Sequence, residues 1–189
     1  MDRLVLGRRG LMLTAAVGLG GCRSSNPALY TLDVPPGLVR RGGPRVIELR
    51  TVGLARYLER SQIVRSSENF RLDVLPDDWW GEPLDAMTGR VLSRALGQRM
   101  PGSTVYQESG AISTRPDATL QVNLQRLDQD RTGALRLIAQ FAVVRGVGDT
   151  RTVSLSVPVR GASVPALVGA MSEAMGGLAD QMAAALSVA

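Results

Sequence analysis

Hydrophobic and polar residues alternate through much of the second half of the chain. Leu120, Val122 and Leu124 are separated by polar residues. Leu135, Leu137, Ala139, Phe141 and Val143 repeat the pattern, and Val153, Leu155, Val157 and Val159 repeat it again. A period of two places every second side chain on one face, the signature of a half-buried strand. Asp128 to Gly133 and Gly146 to Thr150 interrupt the runs with turn-forming residues. Three strands joined this way form an antiparallel meander. The period then changes. Ser163 suits a helix N-cap, and Leu167, Met171, Met175 (or Ala174), Leu178, Met182 and Leu186 recur at helical spacing to near the chain end.

The first half carries shorter signals. Tyr30-Thr31-Leu32 fits a brief edge strand, Val34 to Pro44 is a Pro/Gly-rich loop, and Arg45 to Val52 alternates like a strand. Gln62 to Leu75 reads as a hairpin that turns at Ser66 to Asn69 and sets Phe70, Leu72 and Val74 on one face. A helix follows, capped by Asp77 or Asp78, with Pro83 in its first turn. Its stripe is Trp80, Leu84, Met87, Val91, Ala95 and Met100, and Pro101-Gly102 ends it. Val105 to Gln107 fits a further strand. Strands then a helix, twice over, predict one α+β domain: a mainly antiparallel sheet with two helices packed on one face.

The N-terminus departs from this pattern. Met1 to Gly10 holds Arg3, Arg8 and Arg9 against Asp2, and Leu11 to Gly20 is apolar and small. A positive region followed by a short apolar one is a secretory signal, too short to span a bilayer. Leu19-Gly20-Gly21-Cys22 resembles the lipobox cut by lipoprotein signal peptidase. Small residues let an extended backbone enter the protease cleft, and the ionised thiol of Cys22 is the nucleophile that takes up diacylglycerol. The expected division is a signal peptide over 1–21, a lipidated tether over 22–29 and the folded domain over 30–189. Arg8-Arg9 also resembles a twin-arginine export signal. Arg23, rather than Asp, follows the cysteine, which favours the periplasmic face of the outer membrane over the inner membrane.

Composition narrows the chemistry. The 189 residues carry net charge +5, and removing three Arg and one Asp with residues 1–21 leaves +3. Every cation is Arg, scattered among acids, which describes a solvated surface and excludes a nucleic-acid stripe. There is no His, and Cys22 is the only Cys. Imidazole catalysis, thiolate catalysis, His ligation of a metal and internal disulfides are therefore absent. No nucleophile-elbow motif occurs, and Gly146-Val147-Gly148 reads as a turn rather than a phosphate loop. Asp77-Asp78 with Glu82, and Asp128 with Asp130, could bind a cation or act as acid and base. Asp before a helix is ordinarily a cap, however, and Asp in a hairpin a turn former. No catalytic residue, metal or cofactor is expected.

Several segments together resemble the ABC-type transport auxiliary lipoproteins of the paraquat-inducible C type. Tyr30-x-Leu32 follows soon after the cysteine. Leu54-Ala55-Arg56-Tyr57-Leu58-Glu59-Arg60-Ser61-Gln62-Ile63-Val64 is similar to that family's tyrosine-leucine segment, with Ala55 and Ser61 where proline is usual. Trp80-Gly81-Glu82-Pro83-Leu84 is similar to its helix start, and Leu120-x-Val122-x-Leu124 fits its second half. Leu127 and Phe141 stand where Phe and Trp are usual. The resemblance covers nearly the whole mature chain. It implies a non-enzymatic accessory lipoprotein of an intermembrane lipid transport system. The implied partner is a mammalian-cell-entry (MCE) domain protein, a family that forms hexameric tubes between the two membranes, and homo-oligomerisation is plausible beside such a ring. Tyr57, Leu58 and Trp79 are candidate partner contacts, although for the first two packing under the sheet is the favoured reading. The competing reading is a stand-alone lipoprotein that binds lipid or helps assemble an outer-membrane component.

Overall fold

The structure is a computed structural model that describes residues 26–108 and 114–187. The signal peptide, Cys22 and the start of the tether lie outside the described residues.

The longest strands follow the alternating runs. Strand β7 (Ala118–Gln129) pairs antiparallel with β8 (Leu135–Arg145), and β8 pairs antiparallel with β9 (Val147–Val157). Between Leu124 and Arg126 the β7 register slips. The slip moves the inward positions from Leu120, Val122 and Leu124 to Leu127, and turns Asp128 to the opposite face. The second turn is tighter than the sequence suggested. Gly146 alone reverses the chain, at φ +105, a conformation open to glycine.

The other edge of β7 is covered piecewise. Strand β2 (Val46–Leu49) pairs parallel with its start, β3 (Gly53–Leu54) with its middle and β4 (Gln62–Ser66) with its end. Strand β6 (Thr104–Gln107) adds parallel to β2. Strand β5 (Asp73–Trp80) pairs antiparallel with β4, and β1 (Ala28–Tyr30) adds parallel to β5. The nine-stranded sheet is therefore mixed, not mainly antiparallel. Parallel neighbours so far apart in sequence leave no local signal, unlike a hairpin.

Two expectations in the first half need correction. Asp77, Asp78 and Trp80 belong to β5, not to the following helix. Trp79 pairs with both β1 and the start of β4, a position that suits tryptophan, while Asp77 and Asp78 lie in the irregular stretch between the Val64–Val74 and Gln62–Trp79 pairs, where Asp78 pairs with β1 alone. Helix α1 (Leu84–Arg99) starts four residues later, with Pro83 as its N-cap. Phe70 and Leu72 do not extend the strand face that ends at Val74. They lie in the β4–β5 connection, and both are exposed.

Helix α2 (Val164–Ser187) begins as expected, its Ala166 N–H donating to Ser163 Oγ at 3.3 Å. It lies across β8 and β9 and against α1. Its stripe from Leu167 to Leu186 is buried with Met87, Leu92 and Leu96 of α1 and the inward residues of the sheet, forming one core.

Candidate functional site

Residues 54–64 are shaped by two short elements. Ala55 accepts from Leu58 N–H at 2.8 Å, closing a 3₁₀ turn over Arg56–Leu58 that leads into β4. The turn sends Leu58 into the core, 3 % exposed, and sets Tyr57 half-buried against the core with its hydroxyl reaching the end of β7. There the Tyr57 hydroxyl donates to Asp128 Oδ2 at 2.7 Å. Asp128 is fully buried, and Arg126 Nε donates to its other oxygen at 2.9 Å. Arg126 also reaches Glu68 Oε1 at 2.7 Å, and Arg131 holds Glu68 Oε2 at 3.0 Å. A buried carboxylate is tolerated only when paired and hydrogen-bonded, which this chain of contacts achieves. Burial, reinforced by Asp128, pushes the Tyr57 phenol well above the ordinary tyrosine range. Its hydroxyl stays protonated and donating. Asp130 does act as the expected turn former, accepting from Thr132 N at 2.8 Å.

The two segments that carry the resemblance meet beside this turn. Gln62 is register partner to Trp79, and Trp80 N–H donates to the Ser61 carbonyl at 2.7 Å. Between them opens a cleft of about 500 Å³. Its wall runs from Val52 to Leu54 on one side and from Trp80 to Asp85 on the other. Glu59, Glu82 and Asp85 line it against one arginine, Arg60, so the rim is acidic. Arg60 is steadied by donating to the Tyr57 carbonyl at 2.9 Å, and Glu82 accepts from Arg90 Nε at 3.1 Å outside the cleft. An apolar floor with an acidic rim suits a docked peptide or side chain. Among the described residues no three Asp, Glu, His or Cys side chains converge to hold a metal.

The three candidate contacts fall in different places. Leu58 is core, Tyr57 is turned to Asp128, and neither lines the cleft. Trp79 is half-buried beside Leu29 of β1, with its indole N–H donating to the Pro76 carbonyl at 2.8 Å. The cleft residues are instead their neighbours Glu59, Arg60, Trp80 and Glu82. Their membership in the two similar segments was the available signal. Cys22 lies outside the described residues.

The family model for the ABC-type transport auxiliary lipoprotein component matches residues 30–183, which include both walls of the cleft. The chain belongs to this family. Auxiliary lipoproteins of ABC-type transport are thus its kin, and no helix among the described residues is long and apolar enough to cross a membrane. No curated protein matches the sequence. Among solved structures, an uncharacterized protein aligns at TM-score 0.74 and 17% identity, covering 86% of this chain and 100% of its own. Protein XCC0632 from Xanthomonas campestris aligns at TM-score 0.70 and 16% identity, covering 87% of this chain and 95% of its own. At such identities the likeness extends to the fold alone. A PelC dodecamer from Paraburkholderia phytofirmans aligns at TM-score 0.41, 13% identity, 84% of this chain and 100% of its own, too distant to bear on assembly.

Proposed function

We propose that this lipoprotein is a non-enzymatic accessory subunit of an MCE-type intermembrane lipid transport system. In this reading acyl chains on Cys22 hold it to the periplasmic face of the outer membrane, and its domain docks the MCE protein. The observation that carries the reading is the convergence of the two family-like segments on one acidic-rimmed cleft. A docking role also suits the domain's size. The longest helix among the described residues, 24 residues, is about 36 Å long, so the domain needs a longer partner to reach across the periplasm.

The test is purification of the full-length lipidated chain from membranes separated on a density gradient. The expected result is an outer-membrane fraction containing the MCE protein, with fatty-acid label on the wild type and none on Cys22→Ser. Equal label on Cys22→Ser would remove the anchor, an inner-membrane peak would move it, and a chain purified without the MCE protein would remove the partnership. Phospholipid held by the domain in place of that protein would favour the stand-alone lipid-binding reading.

A further inference from the structure

We propose that the β4–β5 tip, Phe70-Arg71-Leu72, is a second membrane contact that rests in the lipid interface beside the acyl anchor. The proposal depends on acylation of Cys22 as argued above, and its test separates the two.

The tip presents an aromatic ring where water should disfavour it. Phe70 is 110 % exposed relative to an extended reference, and Leu72 is 38 % exposed. Phe70 also sits at φ +62, directly after Asn69 at φ +55. Asparagine tolerates the left-handed region, but a bulky side chain does so only when its surroundings impose it. Here they do. Arg71 N–H donates to the Glu68 carbonyl at 3.1 Å, and Glu68 N–H donates to Ser66 Oγ at 3.3 Å. The Glu68 carboxylate is clamped by Arg126 and Arg131, and Arg126 by buried Asp128. The ring is thus held outward by a braced turn.

Topology directs the described start of the chain to the same end. Strand β1 runs parallel to β5 with Ala28 opposite Asp78, so the chain enters the sheet from the end where β5 begins. Asn26 is four residues beyond Cys22, and a chain of that length reaches at most about 14 Å. Asp73, next to the tip, lies five residues before Asp78, at most about 17 Å along a strand whose pairing with β4 is irregular between Val74 and Trp79. The β7–β8 turn shares this end, because Ser66 pairs with Gln129 and Arg131 bonds Glu68. The opposite end carries the Gly146 turn and the last turn of α2, where Arg145 donates to the Leu186 carbonyl. Strand β8 separates the two ends by about 33 Å.

The tip's chemistry fits a lipid interface. Phe70 and Leu72 would sit at the boundary of headgroups and acyl chains. Arg71 between them would lay its stem on the apolar layer and its guanidinium among the phosphates. Acyl chains supply the affinity, and the tip fixes which end faces the bilayer, leaving the Gly146 end toward the periplasm.

The test uses the full-length chain in vesicles of phosphatidylethanolamine and phosphatidylglycerol. With Cys22 acylated, Phe70→Cys introduces the one free thiol, which takes an environment-sensitive fluorophore. Phe70 is fully exposed, so the substitution leaves packing intact. Thr150→Cys, an exposed position toward the Gly146 end, is the comparison. Nitroxide lipids spin-labelled near the headgroup should shift and quench the Phe70→Cys probe and leave the Thr150→Cys probe bright. Equal brightness at both positions, with Cys22 acylation verified by mass, would overturn the tip contact alone. That result would leave the exposed ring to a protein partner. An unmodified Cys22 mass would overturn the anchor and, with it, this proposal.

Discussion

Asp128 shows how a residue's surroundings override its usual habit. In sequence it sits beside a turn and reads as a turn former, yet it is buried and holds Tyr57 to Arg126. Nothing local announces this, because the β7 slip before Arg126 decides which face Asp128 meets. Removing the carboxylate in Asp128→Ala should leave the Tyr57 hydroxyl without its acceptor and Arg126 with only Glu68 and the Gln129 carbonyl, at a cost of about 2 kcal/mol. Tyr57→Phe should cost about 1.5 kcal/mol, since Arg126 still satisfies the carboxylate. Chemical denaturation checks both, and equal small losses would show the network to be slack. The same pairs make stability depend on pH. Hydrogen bonds from Arg126 and then Arg131 hold the Glu68 carboxyl below its ordinary value. A lowered pKa means that the unfolded chain binds the proton first. Glu68's contribution is therefore full above its unfolded value, about 4.3, and lost as pH falls through its lowered folded value. The melting temperature should fall on acidification through that window, and less steeply in Arg126→Gln. For Tyr57 the sign reverses. Its raised pKa gives stability that is full below about 10 and lost as pH climbs through the folded value. Native phenolate absorbance should rise late, and Tyr57→Phe should remove the last step.

At the scale of elements, the Pro/Gly-rich segment after β1 is fastened to both helices by one side chain. Arg99, at the end of α1, is 1 % exposed. Its Nε donates to Asp180 Oδ1 at 2.6 Å, and its terminal nitrogens reach the Ala95, Gly176 and Pro35 carbonyls. The loop can pass close because residue 37 is glycine: a Cβ there would lie 2.3 Å from the Arg99 guanidinium carbon. Gly37→Ala should therefore destabilise by about 2 kcal/mol through overpacking. Arg99→Met removes the atoms it strikes, so the double variant should lose less than the sum of the singles. Full additivity in denaturation measurements would disprove the contact. Arg99 also marks a limit of sequence reading. A last-turn arginine usually faces water near the helix dipole, and its burial depends on α2 and a loop that are both distant in sequence. The meander and α2 were legible because their periods are long and unbroken. The β5 residues before α1 were not, because Pro76-Asp77-Asp78 has the composition of a cap, and what carries the strand on to Trp80 is the pairing of residues 78–80 with β1 and of Trp79 with β4. The cleft was half legible: its two segments stood out, but their meeting depends on the Gln62–Trp79 register.

For the whole molecule, the sheet sets a direction. Chain entry and the braced Phe70 tip mark one end, while the Gly146 turn and the end of α2 mark the other. The acidic cleft opens at the junction of β3, β4, β5 and α1. In the proposed assembly this is where the MCE protein docks, and the lipid anchor confines the search for it to the membrane surface. Homo-oligomers would present several such clefts to one tube and raise avidity without new contacts. Reversing the rim charge should weaken docking while leaving the fold intact, since Glu59 and Asp85 are partly or fully exposed and have no ion pair among the described residues. The decisive measurement is a titration of the full-length protein, held in nanodiscs, with the purified MCE protein. Saturable binding should be seen. A Glu59→Arg/Asp85→Arg variant, slightly less stable because Asp85 sits in the first turn of α1 but still folded, should bind about tenfold more weakly, or roughly 1.4 kcal/mol. A folded protein that shows no affinity for the MCE protein would contradict the proposed function, and undiminished binding by the charge-reversed variant would remove the cleft from it.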